Sequence, residues 1–293
     1  MDCMFSGEET SNSEHIIPRW MQRRFNLANQ TYVIPNGTTI RYRFAKIPVA
    51  SEHNSEFGKI EQRIADGNAS LQDFYLWAFK IHVGFIYRNS SLKVDVTAPS
   101  SPTFWTVKDF GQEVWLFRQL YSVWSKGGVI SPEPFGTVLR MKALTPTPGF
   151  DFIHNMQSGT LFFQFGSEAV FVVLYDLGIG AHSNIAEQFE YHRGFIASQP
   201  TDEQQEKGFL AQRVWACESA YFLFRALRGF SFVKSDGSFH GVPSLGRPSA
   251  RPSDPIELAH FSRSFGLQLE KFGEGGVGHL YKLLVPGNNK DLP

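Results

Sequence analysis

Two neighbouring runs constrain this chain most. Thr160-Leu161-Phe162-Phe163-Gln164-Phe165 and Ala169-Val170-Phe171-Val172-Val173-Leu174-Tyr175 are apolar at almost every position and are joined by a turn at Gly166-Ser167. Side chains of a strand alternate between its faces, so a strand that is apolar throughout must be covered on both. These two runs therefore read as the centre of the sheet of a second domain. After a candidate cap at Ser70, the residues Leu71, Phe74, Tyr75, Ala78, Phe79 and His82 recur at helical spacing and predict an amphipathic helix to about Val83. His82, on that apolar stripe, reads as a core histidine. Val114, Phe117, Leu120, Tyr121 and Trp124 predict a second helix over 109–126, ended by Gly127-Gly128. A short helix over 183–193 and a long one over 202–228 follow. The second half of the long helix, Trp215 to Leu227, is apolar nearly all round, which makes Cys217 a core thiol rather than a nucleophile.

Thr137–Ala143 is a third strand candidate. Leu267–Phe272 and His279–Val285, after a helix that begins at Pro255, can complete the sheet across a glycine turn. Residues 69–293 thus read as an α+β domain with a mixed or antiparallel sheet. Residues 89–108 are Ser/Pro/Thr-rich loop. Gly241–Pro255 is too long for a simple connector and is read as mobile or functional. His182, His192, Glu187 and Glu190 lie near one another in sequence, but their spacing matches no ligand pattern.

The first 68 residues read differently. Ser13-Glu14-His15-Ile16-Ile17-Pro18 places an acid-histidine pair at the end of a short apolar strand, closed by a proline. Arg19 to Phe25 reads as a helical turn. Thr31–Pro35 and Thr38–Phe44 flank Asn36-Gly37, the preferred dipeptide of a type I′ hairpin. On such a strand Arg41 and Arg43, two apart, share a face and make a rail for a phosphate backbone. Then His53-Asn54-Ser55-Glu56-Phe57-Gly58 opens a helix from about Asn54 to Ala65, ended by Asp66-Gly67-Asn68, a candidate domain boundary. Asn54, Gly58 and Glu61 share one face of it, beside an apolar stripe of Phe57, Ile60 and Ile64. Gly58 leaves room for a close neighbour, such as the strand carrying His15.

Phosphodiester hydrolysis needs a water activated near neutral pH and a positive charge on the leaving oxygen. Histidine is the usable base there, and a hard divalent cation held by oxygen ligands supplies the charge. Glu14, His15 and Asn54 form such a set. A plainer alternative makes Glu14 and His15 a solvated pair and Asn54 a helix cap. In order and type these residues resemble the HNH (ββα-metal) nuclease module in its EHxxP … CN-x-x-FG-x-x-E form, over roughly the first sixty residues. The resemblance implies His15 as general base, Glu14 and Asn54 as ligands of one Mg²⁺ or Mn²⁺, and Glu61 with His53 as supporting groups. The family often carries two Cys-x-x-Cys knuckles around a structural zinc. Here they read Cys3-Met4-Phe5-Ser6 and Ala50-Ser51-Glu52-His53, leaving Cys3 and His53 where a closed site wants four ligands. No structural zinc is expected, and packing must hold the module instead.

Between His15 and Ser51 there is no acidic residue, while Arg19, Arg23, Arg24, Arg41, Arg43 and Lys46 are basic and interleave with Trp20, Phe25, Tyr32, Tyr42 and Phe44. Lys and Arg make most phosphate contacts without reading sequence. The whole chain has 28 basic and 28 acidic residues, so affinity for nucleic acid must come from such local patches. Its two cysteines make no disulfide framework, and no signal peptide or membrane-length apolar run is seen, which points to the cytoplasm. The expectation is an HNH-like endonuclease domain over 1–68 that cuts DNA, with RNA as an equally compatible substrate. The second domain, 69–293, would sense a regulatory ligand, bind a protein partner or orient DNA, as in effectors of bacterial and phage conflict (antiviral defence) systems. The alternative is a non-catalytic HNH-derived module that binds nucleic acid or protein.

Overall fold

The structure, a computed structural model, describes residues 2–145, 149–226, 230–243, 255–272 and 278–283. Its contacts group into two units, Met1–Phe135 with Phe232–Val242, and Gly136–Ser231 with Pro243–Pro293. The first unit carries β1 (Ser13–His15), α1 (Arg19–Arg24), β2 (Thr31–Val33), β3 (Thr39–Arg41), β4 (Lys46–Pro48) and α2 (Ser51–Ala65). β1 and β4 pair antiparallel, with Glu14 opposite Ile47 and His15 opposite Lys46. The hairpin β2–β3 forms with Tyr32 opposite Ile40. Its loop, however, is Pro35-Asn36-Gly37: Ile34 N donates to Thr38 O, Gly37 N donates to Ile34 O, and only Gly37 takes a positive φ, +76°. Pro35 fixes its own φ near −65°, which selects a type I turn closed by a left-handed glycine instead of the expected type I′ pair. The strand then stops at Arg41, and Tyr42–Phe44 is a 3₁₀ turn. Arg41 and Arg43 therefore do not share a strand face, a correction to the expected rail.

Ser70 caps α3 (Leu71–Asn89) as expected: its Oγ accepts from Asp73 N at 3.0 Å, and Asp73 Oδ2 accepts from Ser70 N at 3.0 Å. Arg63 Nε, near the end of α2, donates to Asp73 Oδ2 at 2.9 Å and joins the two helices. α3 is not amphipathic, since every residue from Phe74 to Ile86 is buried, His82 among them. A helix buried all round can approach its neighbours closely where a residue is small. A Cβ on Gly84 would lie 3.2 Å from Ile16 Cγ2 and 3.6 Å from Ile47 Cδ1, so α3 packs directly on the β1–β4 ribbon. The role expected of Gly58 falls to Gly84, because a Cβ on Gly58 would meet nothing within 4 Å. Gly67, at φ +77°, does end α2, yet no division of the contacts falls at 68; α2 and α3 belong to the same unit.

α4 (Gly111–Ser125) and β5 (Val129–Ser131) follow. Phe5, in the loop where a zinc knuckle would sit, is buried among rings: 4.6 Å from Tyr121, 5.2 Å from Phe57, 5.3 Å from Phe117 and 6.0 Å from His53. Arg118 of α4 donates to Met4 O, Cys3 O and Tyr87 OH. Cys3 Sγ accepts from Ala50 N at 3.3 Å. The loop is thus tied down by an aromatic cluster and a guanidinium from α4.

The second unit is built on β6 (Thr137–Lys142), β7 (Phe150–Asn155), β8 (Thr160–Phe165) and β9 (Glu168–Val173), in the order β6-β9-β8-β7 and antiparallel throughout. One face of the sheet, with Ile153, Phe162, Phe171 and Val173, shares a core with Ile185 and Phe189 of α5 (Ile185–Ala197) and Trp215, Ala216 and Ala220 of α6 (Gln204–Ala226). Trp215 Nε1 donates to Ile185 O at 2.7 Å. Cys217 is buried there and burial pushes its thiol pKa up, as befits a core residue. The chain then forms β10 (Phe230–Ser235) and β11 (Ser238–Pro243), and β11 pairs parallel with β5 in the first unit's sheet, ordered β10-β11-β5. After α7 (Pro255–Arg263), β12 (Leu267–Phe272) and β13 (Gly278–Leu283) pair with each other. Among the described residues they do not extend the four-stranded sheet as expected. Phe261, Phe265 and Leu267 bury instead against the helices of this core. Residues 244–254 and 273–277, which hold most of the expected long loop and the glycine turn, lie outside the described residues. The chain is α+β.

Candidate functional site

β1 ends on Glu14 and His15, and the strand pairing sets what each can reach. His15 is 7% exposed and its backbone N–H donates to Glu14 Oε1 at 2.7 Å, so the carboxylate folds back along its own strand. The same oxygen lies 3.5 Å from His15 Nδ1. Burial alone would raise the pKa of Glu14. The hydrogen bonds from His15 and the nearby charge of Lys80 more than offset it and hold the carboxyl down at about 2. Glu14 is therefore an anion at neutral pH, and its other oxygen bonds to no described residue. Arg19 Nε donates to His15 Nδ1 at 3.4 Å, so the neutral ring carries its lone pair at Nδ1. Once protonated, that nitrogen faces Glu14.

Glu61 comes to the same place from α2. Its Oε1 accepts from Lys80 Nζ at 3.0 Å. Burial raises its pKa; Lys80 opposes that rise and Glu14 adds to it. Lys80, from α3, also donates to His15 O at 2.7 Å and Ile16 O at 3.3 Å. Sequence reasoning missed Lys80, although a signal was present: one charge in the run Phe74–Ile86, where burial of an unpaired ammonium is too costly to be accidental.

Asn54 lies exposed on the first turn of α2, whose N-cap position is Ala50, so Asn54 is not the cap. No hydrogen bond joins it to Glu14 or His15 among the described residues. His53 points the other way: its Nδ1 is 3.2 Å from Tyr121 OH, and its Nε2 is 3.7 Å from Glu52 Oε1. Glu8, Glu52 and His53 each bring one ligand atom within 4.8 Å of the others. Cys3, engaged by Ala50 N, is not among them. The chain matches no family model, no curated protein and no solved structure. Its chemistry has to be judged from these groups alone.

Arg23 and Arg24 are exposed at the end of α1, and Arg41, Arg43 and Lys46 are exposed on the segment that leads from the hairpin into β4. Arg24 and Arg43 stack on the neighbouring Phe25 and Phe44 rings, at 5.6 and 4.8 Å. Arg19 differs, since it is engaged with His15. In the second unit a cavity of about 520 Å³ is lined by Phe150, Asp151, Gln164, Asp202, Glu206 and Phe209, among others. Asp151 there pairs with Arg213 at 2.6 Å. His182, Glu187, Glu190 and His192 form no cluster with metal-ligand spacing among the described residues.

Proposed function

We propose that this protein is a metal-dependent endonuclease that hydrolyses phosphodiesters of DNA with His15 as general base. One observation carries the reading: an ionised Glu14 held against a buried His15 whose lone pair sits at Nδ1, at the end of β1. The order of elements around it, β1 and β4 paired and α2 following, supports the resemblance to the ββα-metal module. For His15 to act as base, Arg19 Nε has to leave Nδ1; a water there then gives its proton to the ring, its hydroxide attacks phosphorus as the leaving oxygen departs, and Glu14 steadies the imidazolium. Glu14 and Asn54 would hold one Mg²⁺ or Mn²⁺. The donors fit a hard cation, being an ionised carboxylate with a free oxygen and an exposed amide carbonyl. When bound, such an ion neutralises charge on the phosphoryl and leaving oxygens. Glu61 supports the pair from α2, and His53 of the same helix packs against Phe5 of the N-terminal loop and Tyr121 of α4. Arg23, Arg24, Arg41, Arg43 and Lys46 would contact phosphates, and RNA would satisfy the same contacts. The second unit, with its cavity, offers a place for a regulatory ligand or a protein partner. A role in cytoplasmic conflict systems rests on family analogy. His15→Ala should keep the fold and DNA binding and lower plasmid cleavage about 10²–10⁴-fold; cleavage at the wild-type rate would sink the assignment.

One observation favours the non-catalytic alternative. The ammonium of Lys80 already sits on Glu61, a fixed positive charge beside the acidic pair. In that reading DNA is bound but is not cut with any metal.

A further inference from the structure

We infer that Lys80 is the positioning residue that sets His15 for catalysis, an inference that rests on the nuclease reading above. Lys80 is 1% exposed and lies on α3, outside the segment that carries the HNH resemblance. An ammonium has three donors, and here each has an acceptor: His15 O, Ile16 O and Glu61 Oε1. Its charge also stands 6.0 Å from the Phe57 ring of α2. Helix packing alone would be served better by a methionine or leucine, since burying a charge costs more than its pairing commonly returns.

The three contacts explain what the charge does. Two of them grip consecutive carbonyls at the end of β1. Fixing those carbonyls holds the backbone from His15 into Ile16, and with it the peptide plane from which the His15 side chain leaves the strand. The third contact ties that strand end to α2 through Glu61. Gly84 holds the same helix close to Ile16. The base, the anion that steadies it and the supporting carboxylate are thus registered against one another by α3. A catalytic unit cut at residue 68 would lack that helix. Groups that orient a catalytic ligand or base without touching substrate typically contribute about 10–100-fold, and a misplacement of about 1 Å has a similar effect.

The test is steady-state cleavage of an end-labelled DNA duplex in Mg²⁺ or Mn²⁺ by the full chain as wild type, Lys80→Met, Lys80→Arg and Glu61→Gln. Lys80→Met is expected to lower kcat about 10–100-fold with KM and DNA retention in EDTA unchanged. Lys80→Arg, which restores a buried donor, is expected to recover part of that loss. Glu61→Gln, which leaves Lys80 an acceptor, is expected to lose several-fold in kcat at constant KM. If the wild type cuts and Lys80→Met cuts at the same kcat, the positioning role falls alone. It falls equally if kcat and KM worsen together and arginine rescues nothing. Should Lys80→Met fail to fold, Lys80→Gln takes its place, and an unchanged kcat there overturns the role. If the wild type fails to cut with either Mg²⁺ or Mn²⁺, the nuclease reading itself has failed, and the positioning role goes with it.

Discussion

At the scale of single residues, Glu14 and Glu61 are two carboxylates on one site pushed in opposite directions. Glu14 is held below its ordinary value of 4.5, at about 2, by His15 and Lys80 against the effect of burial. Its ionised form is favoured by folding, so its contribution is fully present above pH 4.5 and is lost as pH falls towards 2. Glu61 is shifted upward by burial, so its contribution has the opposite sign and fades as pH rises above its ordinary value. Urea melts without metal should therefore show wild type and Glu14→Gln differing most near pH 6 and converging as pH drops from 4.5 to 2. A difference independent of pH would mean that Glu14 is not held ionised. The sequence made Glu14, His15 and Glu61 legible because acid, base and helix spacing leave local marks. Lys80 left only a charge in an apolar run, and its three acceptors come from other elements.

At the scale of elements, α4 stands where a metal clamp would. Phe5 fills a cluster with His53, Phe57, Phe117 and Tyr121, and Arg118 binds the carbonyls of Cys3 and Met4. Truncating a buried phenylalanine of this kind typically costs about 3–5 kcal/mol. Phe5→Ala should lower stability by that order in chemical denaturation, and EDTA should leave the wild-type midpoint in place. In buffer without added Mg²⁺ or Mn²⁺, a midpoint that falls with EDTA would point to a tightly held metal in the loop after all. That residues 3–6 and 50–53 hold no Cys-x-x-Cys pair was plain in the sequence. The ring cluster that packs Phe5 was not, since Phe5 meets Phe117 and Tyr121 only through folding. The helices over 71–89, 111–125 and 204–226 and the strands at 160–173 were legible because long or strongly apolar segments leave a clear period, although the first helix runs past its expected end at about Val83. β7 was not, because Asp151, His154 and Asn155 interrupt its pattern, and the hairpin loop was misread because Pro35 outranked Asn36-Gly37.

At the scale of the whole molecule, charge is balanced, so any grip on nucleic acid must come from the basic residues gathered between β1 and α2. The chain does not divide where the N-terminal motif ends. It divides at Phe135, and residues 232–242 return to the first unit through the parallel pairing of β11 with β5. Such a return has no sequence signal, because neither strand is long and their pairing bridges the stretch 136–231 of the second unit. The motif is consequently embedded in a larger body that includes α3 and α4. The central claim is that this embedded site cuts DNA with a divalent ion, and nicking of supercoiled plasmid by the wild-type protein addresses it most directly. With Mg²⁺ or Mn²⁺ the open-circular form should accumulate, and EDTA should abolish it. Nicking that persists in EDTA, or bound plasmid that stays supercoiled with every divalent ion, would contradict the claim.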